Sequence, residues 1–131
     1  MGSAAPELID RLRRERNAWL CTLRRDGSPH VTPVWYVFVD DRFWIASGER
    51  NVKVRNVRAD PRVSIAVEGG DAPCVAEGRV TVHRDYLAAD VLRLISEKYD
   101  GWDAAVEIAP FGPRVLLELS VDRWLLRGVA Q

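Results

Sequence analysis

The fold of this chain is decided by a hairpin signal, WLCTLRRDGSPHVTPVWY, at residues 19–36. Two apolar segments rich in β-branched and aromatic residues flank Asp26-Gly27, a pair typical of the tight turn between antiparallel strands. We expect the second segment to run over residues 30–39 and to carry Pro33 near its start. Because proline cannot donate to a strand ladder, Pro33 predicts an edge position or a bulge. After a turn at Asp40-Asp41, we expect a third strand over residues 42–46, which would complete a meander.

Hydrophobic periodicity places the other elements outward from this hairpin. Amphipathic spacing after Pro6 predicts an N-terminal helix, and Pro61 is expected to stop a short helix near 51–58. Alternating apolar residues predict strands at 62–68 and 73–83, the latter with a bulge at Gly78. We expect one domain over 1–131, divided into the N-terminal helix (1–16), barrel strands that include the short helix (17–83), a longer helix (84–100) and two closing strands, 115–121 and 124–128, within 113–128.

About six or seven antiparallel strands, interrupted by helices, predict a mostly β fold, a β-barrel with flanking helices that fill its gaps. The chain has five tryptophans, more than a core of this size needs. Some of them are therefore expected at an interface or against a planar ligand.

Charge and composition narrow the choice of partners. The 131 residues fit one domain, and 19 Lys plus Arg balance 19 Asp plus Glu, so no bulk field favours nucleic acid or an anionic membrane. The two cysteines lie far apart without CxxC spacing, which argues against a structural metal site. The N-terminus lacks the apolar core of a signal peptide, and no apolar run is long enough to span a bilayer. These features predict a cytoplasmic protein with no metal.

The segment from residue 47 to residue 55 is the best candidate for an anion site. Ser47 and Gly48 precede a predicted helix N-terminus, whose free N–H groups and dipole attract a phosphate. Lys53 and Arg55 can add charge-assisted hydrogen bonds. A solvated basic helix has the same pattern, and spacing alone leaves both interpretations open. His30 and His83 each flank a turn or a strand end, a position more typical of a structural than of a catalytic histidine.

Two sequence segments resemble motifs of the pyridoxamine 5'-phosphate oxidase-like split β-barrel superfamily: TLRRDGSPHVTPVWY at 22–36 and KVRNVRADPRVS at 53–64. The resemblance covers residues 15–121 and is closest to the small oxidoreductases of actinobacteria that use coenzyme F420 or FMN. It implies a split β-barrel and a homodimer that holds its cofactors in clefts between the subunits. The chain lacks the C-terminal Trp-x-Arg-Leu motif of true pyridoxamine phosphate oxidases, which argues against vitamin B6 oxidation.

The resemblance implies a set of cofactor-binding residues. Lys53, Arg55 and Asn56 match the phosphate-binding positions. The strand along the tricyclic ring is matched by Thr32, Pro33, Val34 and Trp35, and the end of the third predicted strand, Ala46 and Ser47, would face the ring or the ribityl chain. The second subunit would contribute Ala76, Glu77 and the region of Trp102. Arg11, Arg13, Arg14, Arg16 and Arg50 are candidates to supply positive charge for the oligoglutamate tail of F420, and a solvated charged helix face is the favoured alternative for the first four.

The function that the resemblance implies is hydride transfer between F420 and a small unsaturated or conjugated substrate. F420 is preferred over FMN because the paired motifs resemble that branch and the arginine-rich composition suits organisms that make this deazaflavin. Alternatives are an FMN-dependent oxidoreductase of the same fold and a carrier or sensor that binds flavin, F420 or haem without turnover. Hydride chemistry needs little from side chains, and no catalytic acid or base is assigned.

Overall fold

The computed structural model describes residues 4–67 and 69–130, in which three helices flank one sheet. The helices are α1 (Pro6–Arg14), α2 (Val52–Ala59) and α3 (Ala89–Lys98). The strands are β1 (Ala18–Leu23), β2 (Pro29–Val34), β3 (Val37–Val39), β4 (Arg42–Gly48), β5 (Arg62–Val67), β6 (Cys74–His83) and β7 (Arg114–Arg127). None of the helices within these ranges is long and apolar enough to cross a membrane.

The seven strands form one antiparallel sheet in the order β2-β1-β5-β6-β7-β4-β3. The sheet curls into a half-barrel, which confirms the predicted mostly β, split-barrel class. The long strand β7 pairs with β6 along one side and with β4 along the other, and so joins the two halves. Pro33 lies in β2, at an edge of the sheet, as its missing N–H predicts.

The predicted meander is wrong. Residues 30–39 do not form one strand, because the chain leaves the sheet at Trp35 and Tyr36 and crosses to the opposite edge. There β3 pairs with β4, whereas β2 pairs only with β1. The backbone N–H of Tyr36 donates to the hydroxyl of Tyr99 at 2.8 Å instead of to a neighbouring strand. The Tyr36 side chain is fully buried and donates to the carbonyl of Leu12 at 2.7 Å.

Other predicted boundaries also change. The two closing strands are one continuous strand, β7, whose register against β6 shifts between Val75 and Ala76 and again between Glu77 and Gly78. The register leaves out Asp122 at one shift and Leu125 at the other, so the strand continues through Asp122 and Arg123, the polar residues at which the sequence pattern predicted a break. The helix predicted over 84–100 begins only at Ala89, and the helix predicted over 1–16 spans Pro6–Arg14. Residues 1–3 of that prediction, and the last residue of the strand predicted at 62–68, lie outside the described residues.

Candidate functional site

A cleft of about 280 Å³ opens where β2 and β4 end, in front of the loop that leads into β7. The ends of the two strands supply its floor, and residues of this loop supply one wall. Its lining consists of Pro33, Val34, Trp35, Ile45, Ala46, Ser47, Gly48, Asn51, Lys53, Trp102, Ile108, Phe111 and Arg114. Apolar and aromatic side chains dominate the lining and two cations interrupt it, a composition typical of small-molecule sites.

Close backbone packing holds the loop against the end of β4. The N–H groups of Glu49 and Arg50 donate to the carbonyls of Pro113 and Phe111, each at 2.8 Å. Gly48 allows this approach, because a Cβ at that position would lie 2.5 Å from the Cβ of Phe111. The loop is therefore fixed beside the cleft.

Two tryptophans form the aromatic wall of the cleft. The rings of Trp35 and Trp102 meet edge to face, with centroids 5.4 Å apart and planes at 88°. On its other side Trp35 stacks on Tyr99, with centroids 4.5 Å apart and planes at 5°. Trp35 is nevertheless 43% exposed, so a planar group has access to it. Such a surface suits a flat conjugated ligand.

Lys53 and Arg114 are the two cations of the cleft, and within the described ranges neither forms an ion pair with a carboxylate. The Nε of Arg114 donates to the carbonyl of Ala104 at 2.9 Å, and its guanidinium lies 5.6 Å from the centre of the Trp102 ring. Burial lowers the pKa of Lys53, and the nearby Arg114 lowers it further. Burial likewise lowers the pKa of Arg114. Two desolvated cations without a counter-charge favour an anionic ligand.

The inner face of β2 carries two polar atoms that are buried without a hydrogen-bond partner. They are Nδ1 of His30 and Oγ1 of Thr32, two residues apart on the strand and therefore on the same face. Burial, followed by the charges of Arg24 and Lys53, lowers the pKa of His30 and favours its neutral form. Buried polar groups in native proteins are nearly always satisfied, so this face of β2 is suited to a polar partner.

A second cavity, of about 520 Å³, lies between the β1–β2 turn and α2. It is lined by Arg24, Arg25, Val52, Arg55, Asn56 and Ala59, a set with three arginines and no carboxylate. Asn56 is buried, and its side-chain amide donates to Oγ1 of Thr22 at 3.0 Å. The Asn51 side chain makes no capping hydrogen bond to the first turn of α2, which leaves this positive helix end available for an anion.

The structure brings together half of the residues expected at the cofactor. Pro33, Val34, Trp35, Ala46, Ser47 and Lys53 all line the cleft. Thr32 precedes them on β2, and Arg55 and Asn56 line the second cavity. Arg50 packs along Gly112 of the loop. The assignment of these residues to a cofactor stays a prediction.

Two of the residues expected from a second subunit, Ala76 and Glu77, lie apart from the cleft, whereas the third, Trp102, lines it. Ala76 is fully buried in the core on β6, and Glu77 accepts a hydrogen bond from Arg123 at 2.7 Å. Trp102 belongs to the cleft of its own chain. Two of the arginines expected near the cofactor tail are already paired, Arg11 with Glu15 and Arg16 with Asp100.

Sequence reasoning missed Arg114, Ile108 and Phe111 and set His30 aside as structural. Arg114 starts a strand in a run of apolar residues, and only its pairing opposite Gly48 in the β4–β7 ladder brings it to the cleft. For the other two, the sequence did contain a signal: Ile108 and Phe111 are large apolar residues in a segment with no predicted helix or strand. The structure shows that both are exposed.

The sequence profile described as pyridoxamine 5'-phosphate oxidase matches residues 4–128. Among solved structures, an F420 reductase is 25% identical, with a TM-score of 0.71 over 95% of this chain and 98% of the other. A FAD-binding protein from Mesorhizobium loti is 23% identical, with a TM-score of 0.69 over 92% and 91%. HutZ, a haem storage protein from Vibrio cholerae, is 20% identical, with a TM-score of 0.74 over 98% of each chain. The last two likenesses concern the fold alone, whereas the profile spans nearly the whole chain, which therefore belongs to the pyridoxamine 5'-phosphate oxidase family.

Proposed function

We propose that the cleft binds coenzyme F420 and that the protein is an F420-dependent oxidoreductase acting on a small unsaturated or conjugated substrate. The observation that carries this proposal is the set of polar groups without partners on β2 and at the cleft. Lys53 lines the cleft without a carboxylate partner, Nδ1 of His30 and Oγ1 of Thr32 are buried without a hydrogen-bond partner, and His30 lies within the electrostatic influence of both Lys53 and Arg24. The structural similarity to an F420 reductase also supports F420 as the cofactor.

The residues present fit a deazaflavin with an anionic side arm. Lys53 would hold the phosphate, His30 and Thr32 would meet hydroxyl or phosphate oxygens, and Trp35 and Trp102 would bound the ring. Each group would gain a partner that it lacks within the protein, and satisfying a buried polar atom is favourable.

F420 is favoured over FMN by the second cavity. Both cofactors carry one phosphate, but F420 continues from it into an oligoglutamate tail, which brings several further negative charges. Arg24, Arg25 and Arg55 line a 520 Å³ cavity that contains no acidic residue. Arg24 donates to the carbonyl of Pro29 at 2.8 Å, so one of these guanidinium groups is already oriented by the turn. Such a cluster suits several carboxylates better than a single phosphate.

The bound deazaflavin supplies the hydride, and the chain's own residues position the reactants and exclude water. Ile108 and Phe111 of the loop present apolar surface at the mouth of the cleft. Arg114 can orient an electron-rich oxygen of the ring or of the substrate. Tyr36 does not reach the cleft, because its hydroxyl donates to the carbonyl of Leu12 in the core. A proton that the substrate needs would therefore come from another group or from solvent.

We further propose a cytoplasmic homodimer formed through the outer face of β1 and β2. Trp19 lies opposite Pro33, and Cys21 lies opposite Val31, so these four side chains share one face at an open sheet edge. Trp19 is 45% and Val31 is 55% exposed. A contiguous apolar patch beside an unpaired edge strand is typical of an interface. Sedimentation equilibrium tests the dimer, and a monomer at micromolar concentration would contradict it.

The decisive experiment is a parallel titration of the purified protein with F420 and FMN, followed by fluorescence polarisation. We expect F420 to bind at micromolar concentration and FMN to bind more weakly. Tight binding of FMN with none of F420 would overturn the cofactor assignment.

A second assay follows oxidation of reduced F420 with enones, quinones and nitro compounds. If F420 binds tightly but none of these compounds oxidises its reduced form, the protein would be a carrier or sensor without turnover. A Soret band on addition of haem would favour a haem-binding protein.

A further inference from the structure

A separate cavity of about 360 Å³ lies between α1, β3 and α3. Its floor is β3, and its walls come from Arg13 of α1 and from Leu94, Glu97 and Lys98 of α3. It shares no lining residue with the cleft or with the arginine cavity. A ligand there would occupy a different place from the proposed cofactor.

The floor of this cavity carries free backbone groups. The two residues between β3 and β4, Asp40 and Asp41, both have positive φ, 53° and 60°, as in the tight turns that close a two-residue hairpin. Val39 and Arg42 are then the hydrogen-bonded closing pair, and the alternation of the ladder directs the N–H and C=O of Phe38 away from β4. Since β3 pairs only with β4, these groups face the open edge. The Phe38 ring packs in the core against Phe43, at 4.9 Å.

The charges around the cavity are unbalanced. Nζ of Lys98 donates to the carbonyl of Leu12 at 3.3 Å and lies 3.8 Å from the centre of the Tyr36 ring, but it meets no carboxylate in the described chain. Arg13 forms no ion pair there either. Glu97, the one acidic residue of the lining, is engaged by Arg93 at 3.1 Å.

Lys98 behaves as a desolvated cation that lacks a counter-ion. Burial, and then the positive charge of Arg16, lowers its pKa to about 8, although Glu15 acts in the opposite direction. A carboxylate bound beside Nζ would offset this desolvation and raise the pKa.

We propose that this cavity is a second ligand site, which takes a small aliphatic carboxylic acid. Its carboxylate would lie between Lys98 and Arg13 and also accept from the N–H of Phe38. The apolar body would pack on Val37, Val39 and Leu94, which offer only aliphatic surface. The volume is near the lower end of the range of small-molecule pockets and so suits a short or medium chain rather than a long lipid.

The chain has only two lysines, Lys53 and Lys98, and this permits a direct test. Protein labelled with ¹³C at lysine Cε gives one NMR signal for each site. On titration with octanoate we expect the Lys98 signal to shift and its pKa to rise, while the Lys53 signal stays in place. F420 should move the Lys53 signal, so the two sites succeed or fail separately. Octanoate that shifts neither lysine, or Lys53 alone, would overturn the proposal.

Two comparisons test the recognition of charge. Octanamide, which has nearly the same shape without the charge, should bind at least tenfold more weakly than octanoate. Lys98→Gln should weaken the binding of octanoate by a similar factor, whereas Lys53→Gln should leave the affinity for octanoate unchanged. Equal binding of the acid and the amide contradicts the proposed carboxylate site. This comparison needs no variant and so remains informative even if Lys98→Gln does not fold.

Discussion

The indole of Trp35 lies flat on the phenol ring of Tyr99, at the point where the chain leaves β2 and crosses to β3. The Tyr99 hydroxyl accepts from the N–H of Tyr36 at 2.8 Å and lies 2.7 Å from the carbonyl of Arg16, to which it can donate. One residue just past α3 thus supports both the irregular backbone of the crossing and the aromatic wall of the cleft.

Tyr99→Phe should lower the free energy of unfolding by about 1 to 3 kcal/mol, because it leaves the buried N–H of Tyr36 without an acceptor. Urea denaturation measures the change. Tyr86→Phe is the matched control. Because Tyr86 is 71% exposed, this substitution should hardly change the free energy of unfolding. Equal effects of the two variants would mean that the hydrogen bond does not stabilise the crossing.

Stability should depend on pH through Lys98. Its pKa is about 8 in the folded protein, against an ordinary value of 10.5, so the unfolded chain binds more protons between these two values. The free energy of unfolding contributed by this group should therefore rise as the pH is raised from about 8 towards 10.5. Lys98→Gln removes the titration and should flatten the profile. We would measure urea denaturation of both proteins at several pH values; parallel profiles would exclude Lys98 as the source.

Lys53→Ala should weaken F420 binding by roughly ten- to hundredfold, about 1.5 to 3 kcal/mol, because one charge-assisted contact to the phosphate is lost. Arg93→Ala is the control, since it removes a positive charge from the exposed face of α3. Fluorescence polarisation gives both affinities. An unchanged affinity for the Lys53 variant would place the phosphate elsewhere.

The arginine cavity should distinguish the tail of F420 from the phosphate. Replacing Arg25 and Arg55 together by Ala should reduce the affinity for F420 by about tenfold or more and affect FMN much less, because only F420 carries the additional carboxylates. The dependence of F420 binding on salt should also become less steep. A parallel loss for both cofactors would show that these arginines contact the shared phosphate.

Gly48→Ala should disturb the loop beside the cleft. Its Cβ would lie 2.5 Å from the Cβ and from the carbonyl oxygen of Phe111, so the backbone must shift, at a cost of about 1 to 3 kcal/mol. We expect lower stability together with weaker cofactor binding. Gly70→Ala is the control, because a Cβ there meets nothing within 4 Å. Stability and binding equal to those of Gly70→Ala would contradict the close approach.

Local features of the sequence were sufficient for the strand-rich class, the β1–β2 hairpin and the short helix after β4. Asp26-Gly27 specifies a turn by its own backbone preferences, Pro33 excludes an interior ladder position, and Pro61 cannot continue a helix. Lys53 was already a candidate because it follows the predicted helix N-terminus, whereas Trp35 entered the candidate site through a resemblance between short motifs. The meander failed because the break at Trp35 and Tyr36 depends on Tyr99, which is distant in sequence and leaves no local signal.

The sequence by itself determined most of the strands and helices, though not the break at Trp35 and Tyr36 or the continuity of β7, since period, turn chemistry and proline act over a few residues. Only the tertiary structure decided that β7 lies between β6 and β4, and with it that Arg114 joins Lys53 and that Trp102 meets Trp35. It also decided that His30 and Thr32 lack partners and that Lys98 lies over Tyr36. These relationships arise from burial and from pairing between distant segments, and neither is encoded in the spacing of neighbouring residues.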